Sequence, residues 1–581
     1  MLPWKRAFIE VLRLWRKIVM VSVPFLLLPL LLISDSVKFR CAYVVAVIAV
    51  YWITEPIPLG ATSLIPIVLF PMLGVLTTEK TCQLYMNETN IMFVGTLIMA
   101  IAIEHSCLHQ RIALSALCFL GTGVKMLVFG LMAISMFLSM WINNVAITAM
   151  MMPVVDSLSK ELLCSNTDDD IDQVENELVG LTLIPLKGIS DSGREDLVSN
   201  PDGKLAQVSV EVAVELAPRT GATSATKALK SRIRVLLYLS VIYGANTGAI
   251  TTITSAASNI VFKFVVEDEY EGRAPVDYAT WLFFALPITL VSIALIYILV
   301  VPLFFRCRRP NLDSDGGSAA LDAIRSNYAA LGPIRFHEVA VLVLFTLLIF
   351  LWLFRDPMFA RGWAAYFTVT EPKDATAVMI AVVLLFVIPA EPKKLTSSPG
   401  LVTWKVVQAK LQWSVILLIG SGFAIAEAMR VSGLSLVIGQ KLASIGHLSP
   451  GVLMMTLSIF CSFMSELISN AGTVTVLLPV FAALAEDLQM NPLLFMIPAT
   501  ITSNFAFLLP VGTPANAIVY EHARLKVSDM VLPGFLVKVI TLMVTVAATY
   551  ILGDPVFNMF NLPGWVFDTN TANVTNVGVR R

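Results

Sequence analysis

Ile142-Asn143-Asn144-Val145-Ala146-Ile147-Thr148 runs through three methionines to Pro153-Val154. Displaced by 326 residues, Ile468-Ser469-Asn470-Ala471-Gly472-Thr473-Val474 runs through Thr475, Val476, Leu477 and Leu478 to Pro479-Val480. An internal repeat of this kind decides the architecture before any single residue does. Each copy follows one apolar segment and returns into another, with side-chain amides where lipid-facing sequence would carry hydrocarbon. Irregular polar backbone survives at membrane depth only where protein or a water-filled cavity surrounds it. Both copies therefore read as re-entrant hairpins with polar tips.

Beyond each hairpin the sequence interrupts a helix. The first interruption is Gly244-Ala245-Asn246-Thr247-Gly248-Ala249, continuing through Thr251, Thr252, Thr254, Ser255 and Ser258 to Asn259. The second is Ser503-Asn504-Phe505-Ala506-Phe507-Leu508-Leu509-Pro510-Val511-Gly512-Thr513-Pro514-Ala515-Asn516. Two prolines and a glycine within five residues cannot continue an α-helix. Pro153 to Asn259 covers 106 positions and Pro479 to Asn516 covers 37; the excess of 69 is about the length of a polar segment inserted in the first half alone. Repeated, unwound helices in two halves of a membrane chain point to a transport site near the bilayer midplane. Exposed helix N-termini suit an anion, and freed carbonyls suit a small cation.

The rest of the chain supplies the membrane. Of 581 residues, 57% are apolar and 14% charged, against roughly 45–50% and about 25% in soluble domains. That excludes a large soluble enzyme. Forty Lys and Arg against 41 Asp and Glu leave no basic field for a nucleic acid. The seven cysteines include no CxxC pair, so neither a disulfide framework nor a zinc site is indicated. Apolar runs recur from Val21–Ile33, which carries no charge, through Cys41–Val75 to Met530–Leu552, several near the roughly 20 residues of a full span. In the leader, Lys5, Arg6, Arg13, Arg16 and Lys17 alternate with Trp4, Phe8, Leu12 and Trp15, an interfacial amphipathic pattern held on the cytoplasmic side. A count of eleven spans puts Arg306–Arg309, Lys393-Lys394 and His522–Lys526 on that side too. It puts the C-terminus outside, where Asn573-Val574-Thr575 forms a glycosylation sequon, and a second sequon at Asn87 inside and unused. Residues 157–231, with Asp168-Asp169-Asp170, and 309–336 are solvated connectors.

Of the carboxylates near the apolar runs, Glu55, Glu104 and Glu427 lie at kinks or span ends, where pairing with a cation accounts for them. Glu466, three residues before Ser469, is the one whose position invites a role in transport. His105, His109, His337, His447 and His522 fall near span ends, and His337-Glu338 lacks the second histidine of a zinc-protease helix.

At the hairpins and broken helices the sequence resembles the divalent anion/sodium symporter family, the solute carrier 13 group of citrate, dicarboxylate and sulfate carriers, which includes the insect "I'm not dead yet" transporter. Further matches are Trp52-Ile53-Thr54-Glu55, Ser139-Met140-Trp141, Arg355-Asp356-Pro357, Gly422-Phe423-Ala424 and Phe505-Ala506-Phe507 through Pro510-Val511 to Thr513-Pro514. The resemblance implies an all-α, inverted-repeat homodimer of about eleven membrane helices and two re-entrant hairpins, with a scaffold and an elevator-like transport domain. It divides the chain into a cytoplasmic amphipathic leader (1–17), first-repeat scaffold helices (18–135), the tip and return arm of the first hairpin (136–156), a cytoplasmic polar loop (157–231), and a broken helix with the helix after it (232–305). A cytoplasmic loop (306–336), second-repeat scaffold helices (337–430), the second hairpin (449–488), a broken helix with the last helix (489–553) and an extracellular tail (554–581) follow.

The resemblance also assigns residues. Asn143, Asn144 and Val145 stand at the first substrate-binding tip and Ser469, Asn470 and Thr473 at the second, with Thr254 and Thr513 lining the adjacent openings. Sodium sites fall near Asn144 with Gly248, and near Asn470 with Gly512 and Thr513. The first half departs from the family: Asn143 and Val145 replace a serine and a threonine, and Ala249, Ser255 and Ala257 add Cβ atoms where glycine or a small residue frees the backbone. The reading is a cation-coupled carrier of di- or tricarboxylates such as citrate or succinate in the plasma membrane, with no enzymatic cofactor and a shallow sodium dependence. A sodium-independent exchanger, a sulfate carrier and a non-transporting sensor of the same fold stay open.

Overall fold

A computed structural model describes residues 3–119, 123–163, 220–305, 316–355, 361–367, 372–394, 398–443 and 448–566. The acidic run Asp168–Asp170, the basic run Arg306–Arg309, His447 and the sequon at Asn573 lie outside them. Regular structure among the described residues is helical, apart from an isolated antiparallel bridge between Pro389 and Gly400. Among the described residues, seven helices are long and apolar enough to cross a membrane: Trp15–Ile33, Val37–Thr54, Thr78–His105, Tyr278–Phe304, Phe336–Leu353, Trp413–Val431 and Val527–Phe557. Shorter apolar helices include Leu59–Met72 and Asp374–Val387.

Both hairpins form where the repeat lies. Val124–Ser139 goes in and Asn144–Leu163 returns; Pro450–Met464 goes in and Asn470–Asp487 returns. The first ingoing arm starts upstream of residue 136, so that hairpin takes in part of the 18–135 stretch. Each turn is fixed by the residue at the same place in the repeat. Asn143 Oδ1 accepts the Val145 N–H at 2.8 Å, and Ser469 Oγ accepts the Gly472 N–H at 3.2 Å. Such caps satisfy donors that a helix start leaves open.

Both interrupted helices are broken. Thr220–Gly248 stops, and Ala257–Glu269 resumes beyond a short 3-10 turn, Ile253–Ser255; Leu493–Ser503 stops, and Pro514–His522 resumes. Gly244 and Gly248, one turn apart, press the first broken helix against the ingoing arm of its hairpin. A Cβ at either would lie 2.3 Å from a backbone oxygen, that of Met132 or Met136. Small residues at this spacing let two helix backbones touch.

Helix ends sort into two faces. On one, Glu88 accepts the Ala375 N–H at 3.3 Å, Lys263 meets Asp374 at 2.6 Å, and Tyr270 bonds Glu486 at 3.2 Å while its ring packs on Trp565 at 4.8 Å. On the other, Lys410 meets Glu104 at 2.7 Å, His337 meets the Leu401 carbonyl at 2.8 Å, and His522 meets Asp156 at 2.7 Å. Asn87 thus shares a face with Trp565, which corrects the expectation that it lies on the opposite side. The cause is the run Cys41–Val75, which is two antiparallel helices and not one span. Val37–Thr54 ends at Glu55 in a left-handed turn (φ 43°), and Leu59–Met72 runs back until Arg40 donates to the Leu73 carbonyl at 3.2 Å. Asn87 also caps the helix Glu88–His105 through Asn90, with its own Nδ2 buried.

Candidate functional site

Asparagines join the hairpin tips to the two openings. Asn259 Nδ2 lies 3.1 Å from the Ala249 carbonyl and 2.9 Å from that of Thr252. Asn516 Nδ2 lies 2.9 Å from Ala506 O and 3.0 Å from Leu509 O, at the same ten- and seven-residue spacings. Only an amide NH2 can face two carbonyls, so the Oδ1 atoms of Asn259 and Asn516 are fixed as acceptors. Each takes its proton from the opposite half. Asn504 donates to Asn259 Oδ1 at 3.1 Å, and Asn246 donates to Asn516 Oδ1 at 3.1 Å. The oxygens of Asn246 and Asn504 must then accept: Asn144 donates to Asn246 at 2.9 Å, and Asn504 accepts from Asn470 at 3.4 Å and from Ser258 Oγ at 2.8 Å. Two crossed chains of three amides result, each running from a tip through its own broken helix into the other one. Asn246, Asn259, Asn504 and Asn516 are buried.

The same constraint decides what the tips present. With Nδ2 engaged, Asn470 turns Oδ1 outward from the chain of amides, and that buried oxygen has no hydrogen-bond partner among the described residues. Thr473 Oγ1, one turn along, is also buried and unpartnered there. Leaving such a group open costs about 1–3 kcal/mol, and nothing among the described residues offsets that cost for this pair. In the first half Ile147 aligns with Thr473, and Val145 offers no oxygen either. Buried, unpartnered hydroxyls occur there at Ser135 and Thr247, set back between the ingoing arm and the broken helix.

The freed carbonyls of Ala249, Thr252, Ala506 and Leu509 do not stand open. Ser255 also donates, its Oγ to Ala249 O at 2.6 Å and its N–H to Thr252 O at 3.4 Å, as do Asn246 to Ala506 O at 3.1 Å and the Gly512 N–H to Leu509 O at 3.2 Å. Each oxygen thus accepts at least two bonds. Nor does either opening use a positive φ, so the Cβ atoms of Ala249, Ser255 and Ala257 impose no strain. The glycines have other causes: Gly248 packs on Met136, and a Cβ at Gly512 would meet Glu466 Oε2 at 2.8 Å.

Glu466 is buried and fully engaged. It accepts the N–H groups of Phe507, Leu508 and Leu509 at 2.9, 3.1 and 3.1 Å, and Lys538 Nζ at 2.7 Å. Lys538 also donates to the Ser462 carbonyl at 2.6 Å. At the matching place in the first half the Met140 carbonyl accepts from Thr252 Oγ1 at 2.6 Å. Both bonds tie a hairpin turn to its opening, by different chemistry.

The remaining assigned residues take local roles. Asn143 and Ser469 cap the return arms, keeping an NH2 and an O–H proton available. Thr513 Oγ1 accepts the Asn516 N–H at 3.3 Å, and Thr254 lies buried with its hydroxyl 3.5 Å from that of Thr252. Sequence reading missed Asn246, Asn259, Asn504 and Asn516 as site residues, and Lys538 altogether. The identical spacing of Asn259 and Asn516 from the openings and a lysine inside an apolar helix were the available signals.

Residues 11–559 match the family described as the sodium:sulfate symporter transmembrane region. The chain is 33% identical over 579 residues to the Na(+)/citrate cotransporter of Mus musculus, covering 95% of this chain and 97% of that one. It is 33% identical to the Na(+)/dicarboxylate cotransporter 3 of Rattus norvegicus, covering 96% and 95%. Solute carrier family 13 member 1 of Mus musculus is 32% identical, with 96% and 98% covered.

Proposed function

Because the chain belongs to the sodium:sulfate symporter family, we propose that it is a secondary active transporter that moves citrate, succinate or a related di- or tricarboxylate with sodium. The observation that carries this reading is the open pair at the second tip, Asn470 Oδ1 and Thr473 Oγ1. Two buried oxygens without a proton donor suit a cation. The anion is drawn to the start of the return arms, where helix N-termini carry partial positive charge and where Asn143 and Ser469 keep donors in reserve. Cotransported cations offset the remaining charge of the substrate.

The face bearing Lys393, Lys394 and the segment His522 to Lys526 is cytoplasmic on this reading, in keeping with the bias of basic loops. Hairpins and broken helices move as one body against the other helices, and the protein works as a homodimer in the plasma membrane. With its open oxygens at one tip, the carrier has one well-formed sodium site, near Asn470 and Thr473, and a hyperbolic sodium dependence.

Uptake into proteoliposomes of labelled citrate, succinate and sulfate, with an inward sodium gradient or with choline in its place, tests this. Sodium-driven accumulation of citrate or succinate is expected. Accumulation of sulfate alone, exchange that ignores sodium, or binding without accumulation would each replace the proposal. A sigmoidal sodium curve with negligible sodium-free uptake would overturn the single site.

A further inference from the structure

We infer that Asn246 and Asn504 are positioning residues that make each hairpin tip respond to the state of the opposite half. The inference rests on the reading of Asn144 and Asn470 as ligand-facing. Its basis is the direction of the amide chains. Asn516 spends both its N–H bonds on carbonyls of the second opening, which leaves its oxygen dependent on Asn246; Asn246 in turn depends on Asn144 of the first tip. The mirror chain runs from Asn470 through Asn504 to Asn259, which holds the first opening.

An amide has one oxygen and one NH2, so a change at one end of such a chain leaves a bond unmade at the next. When a carboxylate draws the Asn144 N–H away from Asn246, the freed Asn246 oxygen loses its donor inside a buried, low-dielectric region, where an unmade bond is costly and neighbouring bonds polarise one another. Asn246 turns to recover a donor, the Asn516 oxygen and the Ala506 carbonyl lose the N–H bonds that Asn246 gave them, and the hold on the second opening loosens. Ligand at the first tip therefore reshapes the second opening; the second tip acts on the first opening more weakly, because Ser258 Oγ keeps a donor on the Asn504 oxygen at 2.8 Å. Coupling of this kind is reciprocal. Mere packing by the same four buried amides would stabilise the fold without linking the two halves.

A mutant cycle on ligand binding separates these cases. Asn144 and Asn516 lie in opposite halves and share Asn246 as their bridge. Binding of labelled citrate and succinate to the purified full-length protein is measured for Asn144→Ala, Asn516→Ala and the double variant, in wild-type and Asn246→Ser backgrounds. In the wild-type background the combined effect should differ from the product of the single effects by about threefold to tenfold. In the Asn246→Ser background it should approach that product. Asn470→Ala, Asn259→Ala and Asn504→Ser form an independent cycle should the first set fold poorly, with a smaller departure expected because Ser258 also donates to the Asn504 oxygen. Single effects that simply multiply in both wild-type backgrounds would overturn the inference while leaving the transport reading intact. Failure of the wild-type protein to bind citrate, succinate or sulfate would defeat the transport reading and the inference with it.

Discussion

At the scale of the residue, Asn470 combines an engaged NH2 with an open, buried oxygen, and Asn144 occupies the same place in the repeat. Losing a bond to a charged partner costs about 1.5–3 kcal/mol, roughly 10- to 150-fold in affinity. Because its open oxygen suits the cation, Asn470→Ala should raise the half-saturating sodium concentration by that factor, and with it the apparent KM for the cotransported carboxylate, or abolish uptake, while surface expression and oligomeric state stay normal. Uptake at wild-type KM in this variant would remove the second tip from the site. Asn144→Ala should act in the same direction. These positions were legible because side-chain amides recur 326 residues apart inside apolar sequence. Their partners were not legible: Asn504 selects Asn259 across 245 residues, and no local periodicity encodes that choice. The role of Asn143 and Ser469 as caps was hidden for another reason, since a residue that caps a helix and one that faces a ligand look alike until the turn is built.

At the scale of the element, the second opening is held by a buried ion pair where the first uses a hydroxyl and a carbonyl. Removing one member of a buried pair strands the other at about 3–5 kcal/mol, whereas replacing both by neutral groups of similar shape is far milder. Lys538→Met alone should thus lower the melting temperature of the purified protein markedly, and Glu466→Gln combined with Lys538→Met should recover most of the loss. A double variant no more stable than Lys538→Met would mean that the pair does not act as one unit. Both breaks in the helices could be read from the chain, the second from its prolines and the first from its run of small polar residues. At Glu55-Pro56-Ile57-Pro58 the sequence showed a kink but not a reversal, because apolar residues continue on both sides of it.

At the scale of the whole molecule, ion pairs bind the outer limb of the first broken helix to helices assigned to the scaffold. Lys263 meets Asp374 at 2.6 Å, and Asp268 meets Arg430 at 3.7 Å. If the hairpins and broken helices move as a body, these contacts must part in every cycle. Cysteines at positions 268 and 430, in a background freed of the seven native ones, should stop uptake when joined by a short bifunctional reagent and leave carboxylate binding intact. Full uptake by the cross-linked fraction would exclude the motion. The face shared by Asn87 and Trp565 makes a further expectation. Asn573→Gln should give a lighter protein that no longer shifts with glycosidase, and Asn87→Gln should change nothing, since the Asn87 amide is buried at its helix start. Loss of the glycan in Asn87→Gln would show that this amide is reachable.

The crossing of the amide chains bears on how the protein is made. Asn259 emerges from the ribosome long before Asn504, and at about 5–20 residues per second the 245 residues between them take roughly 12–50 seconds to synthesise. Throughout that interval the first half sits in the membrane with its central amide lacking its donor, and neither half can reach its final form until the last two helices arrive. A nascent chain cut short before Asn504 is therefore an open substrate for quality control, and the two halves must mature together.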